Sequence, residues 1–442
     1  MREMKDSGIE WIGEIPKEWD LIKCKYVTEV YTGNSIKDEE KGLYEDPVDS
    51  IPYISTKDID ATFNSVAYDN GLFIKKIDTS FVRANKGDTL MCIEGGSAGR
   101  KKAILDRTVC FVNKLCCFHP TRINPVYLFY ILNSPHYEEE FSVNMSGLIG
   151  GVSKGKLMNF ILPYPCYDTQ HRIADYLDDK CGKIDRYIEQ QKQVIEKLKA
   201  YKQSVITEAV TKGLDPTVLM KDSGVEWIGE IPEGWEVVKL GNIFSYLGGF
   251  AYNSDLYTDE SNYQVIRIGN VKNYRIVLEN NPVYISESTA KETSRYKLQS
   301  NTILFTMTGT KGKRDYFFTY LLTDSDLSTK ELYLNQRVGC LIPTRIICPK
   351  YYDYLLKENR ILDSIFLYET GTANQGNLGI DSIKRTILQF PPIDEQRQIV
   401  DYLDCKCSSI DSTIEKKQAL IEKLTVYKKS LIYEVVTGKK EV

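Results

Sequence analysis

Gly150-Gly-Val-Ser-Lys-Gly-Lys156 has the spacing of a loop whose backbone N–H groups cradle phosphates. Such a loop needs a Ser or Thr hydroxyl next, to hold Mg²⁺, and Leu157 stands there instead. The stretch before it, Phe141-Ser-Val-Asn-Met-Ser-Gly147, is too polar for the buried strand that feeds a nucleotide site. Nucleotide binding is therefore not expected. Asn281-Pro-Val-Tyr284 approaches the Asn-Pro-Pro-Tyr motif of amino-methyltransferases, but Val283 replaces the second proline. No Gly-rich cofactor loop precedes it, so a turn before a strand is the expectation. The eleven cysteines include no Cys-x-x-Cys pair, and the histidines are His119, His136 and His171. Structural zinc and His-based nucleophilic catalysis find no ligand set at the required spacing. Reduced, buried thiols are the plain expectation.

A different chemistry is written in two basic loops. Gly95-Gly-Ser-Ala-Gly-Arg-Lys-Lys102 and Thr308-Gly-Thr-Lys-Gly-Lys-Arg314 each follow a strand-like segment. Small residues allow close backbone approach, and clustered Lys and Arg suit phosphates. Nearby Ser, Thr and Asn can address base edges. The net charge of the chain is −4, which argues against binding nucleic acid by bulk charge. The charge is uneven, however. Between residues 71 and 130 there are ten Lys and Arg against four Asp and Glu, and between 261 and 320 nine against four. The candidate DNA contacts are Ser55, Thr56, Lys57, Gly96, Ser97, Arg100, Lys101 and Lys102 in the first block, and Arg267, Asn270, Lys272, Thr310, Lys311, Lys313 and Arg314 in the second.

The elements that must position these loops are duplicated. Met4 to Trp19 reappears as Met220 to Trp235 with thirteen of sixteen positions identical, and these copies hold all four tryptophans. Tyr176 to Asp185 matches Tyr402 to Asp411, and Glu196 to Ser204 matches Glu422 to Ser430. The segments between, roughly 24–160 and 240–385, are much less alike. In the second repeat, Ile173, Leu177, Ile184, Ile188, Ile195, Leu198 and Val205 form a heptad seam, mirrored by Ile399, Leu403, Ile410, Ile414, Ile421, Leu424 and Leu431. Polar residues interrupt both seams, Gln191 and Lys202 in one, Lys417 and Lys428 in the other. Asp168 and Asp394 stand where an N-cap belongs, and Gly213 and Gly438 where the helices stop. Two helices of about 40 residues, ~60 Å each, are predicted. Packed antiparallel about a pseudo-twofold, they would hold the two variable domains apart, with Ile184, Ile188, Ile195, Leu198, Ile410, Ile414, Ile421 and Leu424 in the seam.

Each variable domain has strand-like segments, Ile51–Ile54 and Thr89–Ile93 in the first, Val265–Ile268 and Thr302–Thr306 in the second. A short helical pattern closes each, at Val126–Leu132 and Tyr351–Leu356. The expected fold class is mixed α/β (α+β). Recognition domains at 1–165 and 214–390 are followed by spacer helices at 166–213 and 391–442. No apolar run is long enough for a membrane span, and the N-terminal residues lack a secretory h-region, so a cytoplasmic protein is expected.

The duplicated joints resemble those of the specificity subunit of Type I restriction–modification systems (HsdS). The telling residues are Asp6-Ser-Gly-Ile-Glu-Trp-Ile-Gly-Glu-Ile-Pro16, its copy Asp222 to Pro232, and Pro391-Pro-Ile-Asp-Glu-Gln396. Ile51-Pro-Tyr-Ile-Ser-Thr-Lys-Asp-Ile59 and Lys86-Gly-Asp-Thr-Leu90 also look like recognition-domain segments of that family. Pro163 to Gln170 departs from the spelling, with Thr169 in place of a glutamate. The resemblance implies a chain that catalyses nothing and holds no cofactor. It implies double-stranded DNA, two methylation subunits and restriction subunits as partners. S-adenosylmethionine, ATP and Mg²⁺ would then serve those partner subunits. Each recognition domain would read half of a split site, and because the domains differ, the site would be asymmetric. A coiled-coil scaffold whose domains bind proteins is the alternative.

Overall fold

A computed structural model describes residues 2–147, 150–372 and 374–442. The chain forms two compact units, Met1–Val194 with Lys416–Val442, and Ile195–Glu415. The central helix runs over Tyr167–Lys212 and the C-terminal helix over Ile393–Val436. Each unit takes a recognition domain and part of both helices.

The two recognition domains share the strand order of one antiparallel sheet despite their divergent sequences. In the first unit an antiparallel sheet orders Thr28–Thr32, Leu115–Pro120, Thr89–Cys92 and Lys102–Ile104. In the second the order is Phe244–Gly248, Val338–Pro343, Ile303–Thr306 and Thr319–Leu321. A second, mixed sheet in each contains one parallel pair, Ser50–Ile54 with Val109–Phe111, and Tyr263–Ile266 with Glu331–Leu334. The predicted strand at Val265–Ile268 is thus shifted: it begins at Tyr263 and ends at Ile266. The predicted short helices form at Pro125–Leu132 and Pro349–Leu355.

The near-identical joints are hairpins packed on helix ends. Strands Met4–Asp6 and Glu14–Pro16 pair, as do Met220–Asp222 and Glu230–Pro232. Their Ile12, Ile15 and Trp19 are buried against Leu431, Ile432, Val435 and Val436. In the other unit Ile228, Ile231 and Trp235 pack with Val205, Ile206, Ala209 and Val210. Gly438 (φ 72°) has no room for a side chain beside Pro16 and Trp19, and Gly213 (φ 77°) meets Glu395 and Trp235. Both glycines end their helices in the left-handed region, as expected.

The helix starts differ from the expectation. Asp168 and Asp394 lie inside the first turns rather than at the N-cap, where they favour the helix dipole. Buried Gln170 and Gln396 tie the starts down. Each donates to the carbonyl five residues back, Pro165 and Pro391, and accepts from a backbone N–H of its recognition domain, Asn124 and Cys348, at 2.9 Å. Two tyrosines complete the seat. Tyr130 donates to Asp178 and Tyr354 to Asp404, both at 2.8 Å. Tyr127 shares its hydroxyl proton between the carbonyls of Pro163 at 3.0 Å and Val436 at 3.3 Å, and Tyr351 donates to that of Val210 at 2.9 Å.

The polar seam residues pair with one another. In the first unit Lys428 bridges both oxygens of Asp185 at 2.7 Å, and Lys417 donates to Gln191 at 2.9 Å, which makes the helices antiparallel there. In the second, Lys202 bridges Asp411. Ile188, Ile195, Ile410 and Ile421 are buried, while Ile184, Leu198, Ile414 and Leu424 are half-buried.

All eleven cysteines are free thiols. Removing the Tyr351 hydroxyl (Tyr351→Phe) leaves the Val210 carbonyl without that donor in a buried site and should cost about 1–3 kcal/mol in denaturant unfolding. A second expectation concerns Glu140. Burial pushes its carboxyl up to about 7, against a weaker opposing pull from the Ile161 backbone. The folded chain keeps this proton where the unfolded chain has lost it, so the group lowers stability increasingly as pH rises from 4.5 toward 7. Glu140→Gln should therefore raise the melting temperature more at pH 8 than at pH 5.

Candidate nucleic-acid interface

In the first recognition domain the two candidate segments are brought together. Strand Thr89–Cys92 leads into the glycine loop, where Gly95 (φ 84°) and Gly99 (φ 71°) take left-handed conformations. A Cβ on Gly99 would press on the Phe141 ring at 2.6 Å. Lys101 donates to the Thr56 carbonyl at 2.7 Å, joining this loop to the turn Ser55-Thr56-Lys57-Asp58. That turn is closed by Asp58, which accepts from the Ser55 N–H at 2.8 Å and its hydroxyl at 2.6 Å. Lys57, Gly96 and Arg100 are exposed, and Thr56 and Ser97 half-buried. The phosphate-loop lookalike is an arm of this same site. Gly95 donates to the Gly150 carbonyl at 2.9 Å, and Gly151 bridges Glu94 and Ser146.

Lys102 does not belong to the interface. It is 1% exposed, donates to the Leu132 carbonyl at 2.6 Å and lies 3.5 Å from Glu138. Burial lowers its pKa to about 8, with Glu138 opposing the shift. It starts the strand Lys102–Ile104, so alternation turns its side chain inward while Lys101 faces out.

In the second domain the basic loop is braced by a hairpin the sequence reading missed. Strands Glu369–Thr372 and Gln375–Leu378 pair with each other, and the second pairs with Thr308–Gly309. Glu369 accepts from the Gly312 N–H at 3.0 Å and from the Tyr316 hydroxyl at 2.7 Å. Lys311 donates to the Gly371 carbonyl at 3.1 Å, Thr310 donates its N–H to Asp315 at 2.7 Å, and Arg314 is paired with Asp363. Lys311, Lys313 and Arg314 are exposed. The sequence signal for the hairpin was its run of small polar residues and glycines between two core positions.

Asn270 is a second correction. It is 1% exposed and closes a turn, accepting from the Arg267 N–H at 2.8 Å and donating to the carbonyls of Val277 and Asn280. Asp58 does the same for Ser55, so both residues serve the fold. Arg267 is exposed beside it, and Lys272 is half-buried over the Phe318 ring. Asn281-Pro-Val-Tyr284 is indeed a turn into the strand Tyr284–Ile285, with Asn281 at φ 46°. Among the described residues no group of three or more His, Cys, Asp or Glu is placed to hold a metal ion.

The site thus consists of two differently furnished sets of exposed Lys and Arg with half-buried Ser and Thr, each on a glycine-bearing loop rooted in its own domain. The comparisons with known proteins agree with this layout. The family model described as "Type I restriction modification DNA specificity domain" matches twice, over residues 16–200 and 232–425. The MjaVIII specificity subunit of Methanocaldococcus jannaschii is 26% identical over 96% of this chain and 93% of its own. The EcoBI specificity subunit of Escherichia coli is 22% identical over 96% and 87%. Among solved structures, a chain from a study of assembly and conformational transition in a type I R-M system superposes with a TM-score of 0.72 at 14% identity, covering 96% of this chain and 99% of that one. HsdS of Thermoanaerobacter tengcongensis gives 0.50 at 15% identity, covering 96% and 98%. With two domain matches that together span most of its length, the chain belongs to the family of Type I restriction–modification DNA specificity subunits.

Proposed function

We propose that this chain is the non-catalytic recognition subunit of a Type I methylation and restriction complex. Each recognition domain reads one half of an asymmetric, two-part DNA site, and the helix pair sets the gap and docks two methylation subunits. Restriction subunits join that assembly. S-adenosylmethionine, ATP and Mg²⁺ are used by those partners. The work belongs in the cytoplasm with the DNA, and among the described residues no helix is long and apolar enough to cross a membrane.

One observation carries this reading. Two domains that share the order of their antiparallel sheet are seated on the helices by duplicated side-chain bonds, yet they present different exposed residues. A scaffold that bound one protein twice would repeat the exposed loops as well as the buried seats. A basic block in each domain, within a chain of net charge −4, fits a subunit that selects sequence while partners supply much of the phosphate clamp.

Methylation mapping of DNA treated with the assembled complex tests the proposal, and an asymmetric motif split by a fixed gap is expected. A motif that persists without this chain would refute it. Within the complex, Lys57→Ala and Arg100→Ala should each weaken binding and flatten the dependence of log K on log salt by about 0.9 per lost phosphate contact. Lys102→Ala should leave that slope unchanged and instead lower stability by about 1–3 kcal/mol, since it unpairs the buried Leu132 carbonyl.

A further inference from the structure

The hairpin of the second recognition domain has no role in the fold that accounts for its outer half. Leu378 and Gly376 are buried at its root, and Glu369 is locked by Gly312 and Tyr316. Gly376 has no space for a side chain, because a Cβ there would strike Glu369 and Tyr316. Beyond this root, Thr370, Gly371, Thr372, Asn374 and Gln375 are all exposed. A lone two-stranded ribbon is marginal in water, so its order comes from the root. Among the described residues beyond the root there is no large apolar group and no charge; the exposed Leu367 and Tyr368 lie before the first strand, outside the ribbon. The ribbon's exposed side chains are hydroxyls and amides, the groups that donate to and accept from base edges. The cations stand beside them, not among them: Lys311 reaches the Gly371 carbonyl, and Lys313 and Arg314 are exposed on the adjoining loop.

We propose that this ribbon is the base-reading element of the second domain. It enters the major groove, which admits a two-stranded ribbon, with Thr370, Thr372 and Gln375 at base edges. Lys313 contacts a flanking phosphate. The inference rests on the proposed reading of DNA and deepens it by naming the residues that choose one half-site. The first domain has a different arm in this place, pairing Ser146 with Gly151 against Gly95, which carries none of these amides. The two half-sites should differ accordingly.

The test is methylation mapping with the full complex carrying Thr372→Ala, Gln375→Ala or Lys313→Ala. The half-site of the second domain is identified first, as the one that changes when residues 240–385 are exchanged for those of a relative. Thr372→Ala and Gln375→Ala should lower the preference at one or two positions of that half-site roughly tenfold or more, the worth of a good base contact. The other half-site and the gap should stay as they are, which also shows that the variant complex is folded. Lys313→Ala should weaken binding evenly across sequences and reduce its salt dependence. An unchanged motif in both ribbon variants, or relaxation in the other half-site, overturns the inference while the proposed function stands. If the wild-type complex selects no two-part site, the function falls and the inference with it.

Discussion

A tyrosine hydroxyl held by a helix carboxylate is the contact on which each recognition domain depends. Tyr130 on Asp178 and Tyr354 on Asp404 have the same length and the same place in their units. The neighbouring tyrosines cap the last turn of the opposite helix, and the glutamines fasten the start of the adjacent one. The two tyrosine–carboxylate bonds are part-buried, but the Gln170–Asn124 and Tyr351–Val210 bonds are buried, where breaking one leaves each partner unpaired. Three such bonds per domain turn a packed surface into a defined seat. Burial pushes the Tyr127 and Tyr351 hydroxyls far above the ordinary phenol range, so they remain donors at any physiological pH.

This seat explains which parts of the chain repeat. The hairpins with their tryptophans, the seam residues and the clamping side chains all touch a helix, and the helices are near copies. The loops that face outward are released from that constraint. They connect a sheet of the same strand order but differ in their residues. Asp58 and Asn270 close equivalent turns with different side chains, while Ser55 and Arg267 present different chemistry above them. Such a division between a repeated frame and individual loops suits a molecule that offers two distinct readings from one scaffold. Where the repeat is imperfect, the structure shows the consequence. Glu395 accepts from the Trp235 indole at 2.9 Å, and Thr169, at the matching place, lies against Cys166 instead.

Much of the frame was legible in the sequence because it repeats and because it is periodic. The heptad seam, the terminal glycines, the short helices and four of the strands follow from spacing and residue type. The strand order common to the two antiparallel sheets was not legible, since strand pairing is set by packing between distant segments that preserve shape rather than residue type. Charge clusters marked the right loops but not the right side chains. Lys102 sits next to Lys101, yet strand alternation sends one inward and the other to the Thr56 carbonyl. Asn270 looked like a base reader by type and is a turn closure by geometry. The hairpin from Glu369 to Leu378 was missed because it carries no charge cluster and no apolar alternation.

The central claim is that the helices set the distance between two independent readings. Lys202 with Asp411, Lys428 with Asp185 and Lys417 with Gln191 fix the register of those helices, and a whole heptad preserves it. The most direct measurement is methylation mapping of a complex in which seven residues are inserted after Val194 and seven after Glu415. The added length, ~10 Å at 1.5 Å per residue, predicts a gap longer by about three base pairs at 3.4 Å per pair, with both half-sites unchanged. A motif with its original gap would contradict the account.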